Sequence, residues 1–377
     1  MSTARPILTP AAVARLLLGW GAVLALVSSG SLLDPPVPSA VLVAALVVVV
    51  GVVLVCAFGV VHEAEHLARR LGDPYGSLVL TLSIVVIEVI LISAVMLGPG
   101  EHATIARDSV MAVSMIILGA VVGLALLVGG RRHGALTPNR AGTSQYHSVL
   151  VVLVALALGV PAVLGTEGSY TPGQAVPVVL VTVVLYAFFL ARQTGAQAGD
   201  FREVVPPAER REPTVVRTGV RVVVAEHRTE VLVRAGLLVA TVLPVVLLSH
   251  DMAALLDDGL GRLGAPTALA GILIAVIVFL PESITAVRAA LAGEVQRVSN
   301  LCHGALVSTV GLTIPAVLVI GVLTGQPVVL AESPVNLLLL GVTLLLSVST
   351  FSAPRVTATH GAAHLAVFAV YAVAAMS

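Results

Sequence analysis

Long runs of Val, Leu, Ala and Ile fill this chain, separated by short polar breaks. A bilayer-spanning helix needs about 20 mostly apolar residues. By that rule the chain divides into eleven spans, at 12–33, 39–61, 75–97, 109–129, 146–165, 174–193, 232–250, 266–290, 301–323, 334–352 and 360–376. The first follows Arg5 and Arg15 in the manner of a signal peptide. Its apolar run exceeds the usual core of about 7–15 residues, so it is read as a span. The longest polar stretch, 195–231, contains "DFREVVPPAERREPTVVRTGVRVVVAEHRTE" and is too short to be a catalytic domain. It reads as a cytoplasmic linker between two halves.

Composition narrows the class. Hydrophobic residues make up 58% of the 377, charged residues only 11%, and the mean hydropathy is +1.07. Soluble domains carry about 25% charged residues, so a soluble globule with one core is excluded and an all-α polytopic membrane protein is expected. The two cysteines, Cys56 and Cys302, lie far apart inside apolar runs. They read as reduced, buried residues, neither a disulfide framework nor a metal site.

The charges fix an orientation. Every basic residue is Arg, and with the N-terminus inside, all but Arg107 and Arg262 fall on the inner side. That bias predicts N-in, C-out topology. The outer loops carry acids instead: Asp34, Glu101, Asp108, Glu167, Asp251, Asp257, Asp258 and Glu332. An acidic outer face raises the local concentration of cations.

The halves resemble one another. A shift of 194 residues (282 minus 88) lays "LVLTLSIVVIEVILISAV" (78–95) on "ILIAVIVFLPESITAVRA" (272–289), with Glu88 on Glu282 and Val113-Ser114 on Val307-Ser308. The organisation expected is an N-terminal helix (1–38), a first five-helix repeat (39–194), the linker (195–231) and a second five-helix repeat (232–377). Repeats of five crossings must be inverted, an architecture of secondary transporters that puts the site at the midplane. Glu88 and Glu282 are the only acids well within a span. A carboxylate at helix centre costs about 2.5–3.5 kcal/mol on insertion scales. With no basic residue at comparable depth, each must be protonated, hydrated or paired with a cation. Two glutamates that hold protons or a metal ion, but hardly both, amount to a cation/proton antiporter if access alternates. Secondary oxygen ligands are expected from Ser83, Ser114, Ser308 and Thr309, and from the carbonyl of Ile277, which Pro281 leaves without its helical donor.

The segments "GDPYGSLVLTLSIVVIEVILISAVML" (72–97), "VIVFLPESITAVRAAL" (276–291) and "SNLCHGALVSTVGLTIPAVLVIG" (299–321) resemble the repeats of the bacterial ChaA-type calcium/proton antiporters, within the cation/calcium exchanger superfamily. The resemblance covers nearly the whole chain. It implies ten core helices in two inverted repeats, often with one extra N-terminal helix, and it carries the family's central acids onto Glu88 and Glu282. The related vacuolar exchangers surround each acid with a G-N-x-x-E pattern. Here those positions read Ile84-Val85 and Val278-Phe279, so amide ligands are absent. The expected cargo is Ca²⁺, exported against protons, with Na⁺ or K⁺ as the alternative. No resident cofactor is expected and no enzyme activity; the metal is cargo. The partners are the lipid bilayer of a bacterial inner membrane and the transported ions, with no nucleic acid, and the sequence assigns no oligomeric state.

One motif competes. "VVHEAEH" (60–66) contains H-E-x-x-H, which on a helix sets two imidazoles one turn apart as in zinc proteases. A third ligand from "LLDDG" (255–259) would lie across the bilayer by the arginine sorting, so the intramembrane protease is a remote alternative. His62, Glu63, Glu65 and His66 are instead expected to form a polar inner mouth, either a solvated helix end or a proton relay. His303, near the inner end of its span, is the other histidine expected to relay protons.

Overall fold

A computed structural model describes residues 9–29, 37–71, 82, 85, 86, 88–90, 92, 93, 96, 103–204, 228–264 and 268–376. The described chain is helical, with no strand beyond isolated bridging pairs. We number the helices α1 (Pro10–Ser29), α2 (Ser39–Leu71), α3 (Ile105–His133), α4 (Arg140–Leu164), α5 (Pro172–Thr194), α6 (Arg228–Arg262), α7 (Ala268–Ala292), α8 (Val295–Thr324), α9 (Pro334–Ser352) and α10 (Ala358–Ala375). Nine helices among the described residues are long and apolar enough to cross a membrane. The segment expected at 75–97 lies mostly outside the described residues; those described within it are helical.

The helices begin and end where local chemistry says they should. α5 starts at Thr171, whose N–H donates to Gln174 Oε1 at 3.0 Å, with Pro172 in the first helical position. There proline's missing N–H costs nothing. α9 starts at Ser333, which accepts from the Asn336 N–H, again followed by a proline. α8 ends at Gly325 in the left-handed region (φ 72°), a conformation that favours glycine. π-turns interrupt α3 at Ile116–Val121 and α4 at Ala155–Gly159; the second lies just before Pro161, which cannot donate to the carbonyl one turn back.

Packing divides the chain into two compact units, each drawing on both halves of the sequence. The first comprises residues 1–83 and 205–270. In it α2 and α6 pack along each other, and α1 lies on both. Gly19 permits that approach, since a Cβ there would stand 2.9 Å from Cys56 Sγ and 3.0 Å from Pro244 Cγ. Arg262, paired with Asp258 on its own helix, ties the end of α6 to the start of α2 through Ser39 and the Val37 carbonyl. α1 turns Leu17, Leu24 and Val27 outward, as a lipid-facing helix does.

The second unit comprises residues 84–204 and 271–377. At its core α3 crosses α10 at the separation glycine allows: a Cβ on Gly130 would fall on the Ala358 backbone, and one on Gly361 on the Leu127 backbone. Small residues at helix crossings are how membrane helices gain close packing. Helix ends assigned to one side by the arginine sorting meet one another. Among those assigned inside, Leu136 pairs with Val356, His133 Nε2 reaches the Leu291 carbonyl at 2.9 Å, and the Arg297 N–H donates to Glu203 at 2.7 Å. Among those assigned outside, Ser169 pairs with Val329, and Arg107 donates to the Ala331 carbonyl. The start of the linker is therefore docked: Ala198–Phe201 forms a 3₁₀ turn, Phe201 is fully buried, and its carbonyl accepts from Asn300 at 2.7 Å. The linker residues 205–227 lie outside the described residues.

Candidate functional site

Glu88 and Glu282 both belong to the second unit, and both are buried, at 4% exposure each. Glu282 sits inside α7, directly after Pro281. Glu88 Oε2 accepts a 2.6 Å hydrogen bond from Thr309 Oγ1 on α8. Its Oε1 has no hydrogen-bond partner, and neither oxygen of Glu282 has one. Glu282 lies within electrostatic reach of Glu88 and of Cys302 on α8. Two carboxyls within electrostatic reach, three of whose oxygens are buried and unpartnered, are short of positive charge. A buried charge costs several kcal/mol unless it is paired. Protons or a bound cation satisfy these oxygens; the neighbouring side chains do not.

The sequence-expected ligands divide. Thr309 is on the site through Glu88. Ser308, one residue earlier, accepts from Tyr186 Oη at 3.0 Å. Gly311, one turn along α8, admits the Tyr186 ring, because a Cβ there would stand 2.9 Å from it. Ser114 turns back on its own helix, donating to the Val110 carbonyl at 2.6 Å. Ile277 lies one turn before Pro281 on α7, and Pro281 has no N–H to offer its carbonyl. Ser83 lies outside the described residues. At the positions where vacuolar exchangers carry amides, Val85 and Phe279 are buried and apolar.

The H-E-x-x-H residues lie in the first unit, on α2. The helix does not end there but continues to Leu71, so a free helix end is not what the motif occupies. His62 and His66 stack edge to face at 4.6 Å between ring centroids. Glu63 turns away from solvent, at 3% exposure, and takes a 2.9 Å ion pair from Arg234 on α6. Arg234 also binds Glu230 at 3.2 Å. Glu65 lies half-buried beside them. Among the described residues no group of three His, Cys, Asp or Glu is placed to hold a metal.

His303 does stand in a polar cluster, and the cluster is larger than the sequence indicated. His303 Nε2 and His147 Nε2, from α8 and α4, each lie 2.9 Å from the same hydroxyl, Ser347 Oγ on α9. His303 Nδ1 faces Ser299, 2.9 Å from its Oγ and 3.1 Å from its carbonyl. On α10, His364 meets Thr350 at 3.2 Å and the Leu118 carbonyl at 2.7 Å. Gln193 donates to Tyr146 Oη at 2.7 Å, and the Tyr146 ring lies 5.9 Å from that of His303. All of these residues are buried. Of this cluster the sequence singles out His303 alone, because His147, Ser347, His364 and Tyr186 each lie in a separate apolar run. The signal was there, since any ionisable residue within a span is a site candidate by default.

Comparison with known proteins agrees with this architecture. Residues 41–195 and 233–377 match the family described as sodium/calcium exchanger protein. The chain is similar to the putative ionic transporter y4hA of Sinorhizobium fredii (strain NBRC 101917 / NGR234), 36% identical over 328 residues and 85% of each chain. It is 34% identical over 320 residues, again 85% of each, to the sodium-potassium/proton antiporter ChaA of Escherichia coli (strain K12). Its fold is similar to that of native YfkE (TM-score 0.69, 15% identity, 96% of this chain and 99% of that one). It is likewise similar to the H⁺/Ca²⁺ exchanger CAX (TM-score 0.65, 17% identity, 97% and 89%).

Proposed function

We propose that this chain, which belongs to the sodium/calcium exchanger protein family, works as a cation/proton antiporter in which Glu88 and Glu282 bind the cation and the protons by turns. The observation that carries the reading is the set of three buried, unpartnered carboxylate oxygens on these two residues. In a closed apolar site such oxygens are occupied by protons or by a cation, and exchange of one occupant for the other is the transport cycle. Facing the outside, the glutamates release the cation and take up protons. Facing the inside, they release the protons and bind the next cation. The pair never crosses bare, because the cost of two unneutralised carboxylates in the span opposes it. Thr309 belongs to the cycle through its hydrogen bond to Glu88, supplying an oxygen when the carboxylate binds metal.

Ca²⁺ is the cargo we favour. Two carboxylates balance one divalent ion, and two protons replace it without changing the charge of the site. Oxygen donors alone suit a hard cation. Na⁺ or K⁺ is the second reading, favoured by the name of the Escherichia coli relative. The protein sits in a bacterial inner membrane with its N-terminus inside and its C-terminus outside, as the arginine distribution argues. It is a carrier and performs no covalent chemistry.

The test uses inside-out vesicles with an acidified lumen, into which Ca²⁺, Na⁺ and K⁺ are added in turn. One of them collapses the proton gradient in the wild type, and Glu88→Gln or Glu282→Gln each removes the response. A wild type that moves no protons with any cation ends the antiport reading.

A further inference from the structure

α8 carries two threonines one turn apart, Thr309 and Thr313, and neither hydroxyl is bonded to its own helix. Hydroxyls elsewhere in the helices turn back on the backbone. Those of Ser93, Ser114, Thr241, Ser283, Thr285 and Thr343 each donate to the carbonyl four residues earlier, at 2.6–3.0 Å. That carbonyl is the nearest acceptor a helical Ser or Thr has, so it is the default partner. Thr309 departs from the habit to donate to Glu88. Thr313 departs from it with no partner at all, at 0% exposure.

Two other described hydroxyls are buried and unpartnered, Thr182 on α5 and Ser249 on α6 of the first unit. Of the three, Thr313 alone shares a helix face with a residue bound to one of the glutamates. It lies four residues on from Thr309, about 6 Å along the axis. The arginine distribution assigns the start of α8 to the inside, so Thr313 stands outward of the contact between Thr309 and Glu88. The glutamates' own segments turn apolar in that direction. Ile92, four residues outward of Glu88, is buried, and so is Phe279, three residues outward of Glu282 on α7. A valine at 313 would fill the same space without burying an unsatisfied hydroxyl, which costs stability.

We propose that Thr313 is the outer step of the cation path, its hydroxyl oxygen binding the cation between Glu88 and the outer face and taking no part on the inner side. A hard cation keeps several oxygens around it at every stage. On its way out it gives up carboxylate oxygens among apolar side chains, and the Thr313 hydroxyl replaces one of them. With no partner in the helix, that oxygen has both lone pairs to offer. Being neutral, it holds the ion less tightly than Glu88 does and passes it on. The inference rests on the antiport reading for its cargo.

The experiment uses the full chain in sided membrane vesicles, right-side-out to present the outer face to added cation and inside-out to present the inner face. The flux read is exchange of labelled Ca²⁺ for unlabelled Ca²⁺, or of labelled Na⁺ for Na⁺ where Ca²⁺ is not carried. Thr313→Val removes the oxygen and keeps the shape, Thr313→Ser keeps the oxygen, and Thr313→Ala serves if the valine variant does not fold. In Thr313→Val the half-saturating concentration at the outer face should rise about fivefold or more. At the inner face it should stay within about twofold, and Thr313→Ser should match the wild type at both. An equal rise at both faces would make Thr313 a packing element of α8, and no rise at the outer face would remove it from the path. Either result overturns the proposal. Failure of the antiport reading looks different: labelled cation exchanges, with the same sided effect of Thr313→Val, while no cation moves protons. A wild type that exchanges neither cation defeats both.

Discussion

Glu63 and the pair Glu88 and Glu282 are equally withdrawn from solvent, at 3% and 4% exposure, and all three are helical residues in apolar sequence. What separates them is the company they keep. Glu63 has an arginine at 2.9 Å, whose own second contact is Glu230. Glu88 has one hydroxyl, and Glu282 has no hydrogen-bond partner. Burial alone therefore does not mark a transport site. A carboxylate whose countercharge is built into the protein is a strut between helices, here α2 and α6. One whose countercharge must arrive from solution is a site.

The largest effects should separate these classes. Glu88→Gln and Glu282→Gln each remove a charged ligand from the cation, worth on the order of 3 kcal/mol, so cation-driven proton flux should drop about a hundredfold. Thermal stability in detergent should hold or rise, because a neutral amide replaces an uncompensated acid. Glu63→Gln should do the reverse. It leaves Arg234 with Glu230 as its remaining partner, and breaking a buried pair costs up to about 3–5 kcal/mol, read as a lower unfolding temperature with the proton-to-cation ratio unchanged. The double variant Glu63→Gln/Arg234→Gln should recover part of that loss, since neither charge is then left alone. If Glu63→Gln instead uncouples transport with stability intact, the distinction drawn here between strut and site is wrong.

This contrast was only half legible in the sequence. Hydropathy placed the spans 174–193, 334–352 and 360–376 within a few residues of α5, α9 and α10. It cut α2 short at 61 and α6 at 250, although these helices run to Leu71 and Arg262. Hydropathy stops where charge begins, but backbone hydrogen bonding does not, and the polar ends continue with their charges paired, Glu63 of α2 with Arg234 and Asp258 of α6 with Arg262. The mid-span glutamates stood out because each is a single acid in an apolar run. The histidine cluster did not, because His147, His303 and Ser347 lie on three helices, and only the packing of α4, α8 and α9 brings them to one hydroxyl. In a chain that is apolar on every face, periodicity says little about which face of a helix meets which neighbour.

Within the site, a smaller effect sharpens the comparison between Glu88 and Glu282. Thr309→Ala takes away the one hydrogen bond that Glu88 accepts. A hydrogen bond to a charged group is worth about 1.5–3 kcal/mol. The apparent affinity for the transported cation should weaken by about tenfold or more, while the maximal rate changes little. Thr309→Ser keeps the hydroxyl and should restore the affinity. Ser114→Ala, whose hydroxyl is already spent on the Val110 carbonyl, should leave it unchanged. If Ser114→Ala weakens binding as much as Thr309→Ala does, the hydroxyl of Ser114 rotates onto the cation during the cycle.

The smallest effect belongs to the motif that looked most like chemistry. A zinc hydrolase needs Glu63 as a base free to take a proton from water, and here Arg234 holds that carboxylate in an ion pair between helices. His62 points to solvent, and its ring meets only the edge-to-face contact of His66 among the pairings described for it. His62→Gln should therefore change cation-driven proton flux by less than about twofold, the range of a surface substitution away from any site. Purified protein titrated with Zn²⁺ should show no tight binding that the same substitution abolishes. Tight binding lost in His62→Gln and in His66→Gln together would mean that the two imidazoles hold a metal after all. Glu63 would then be its restrained neighbour, and the strut between α2 and α6 would carry a second function.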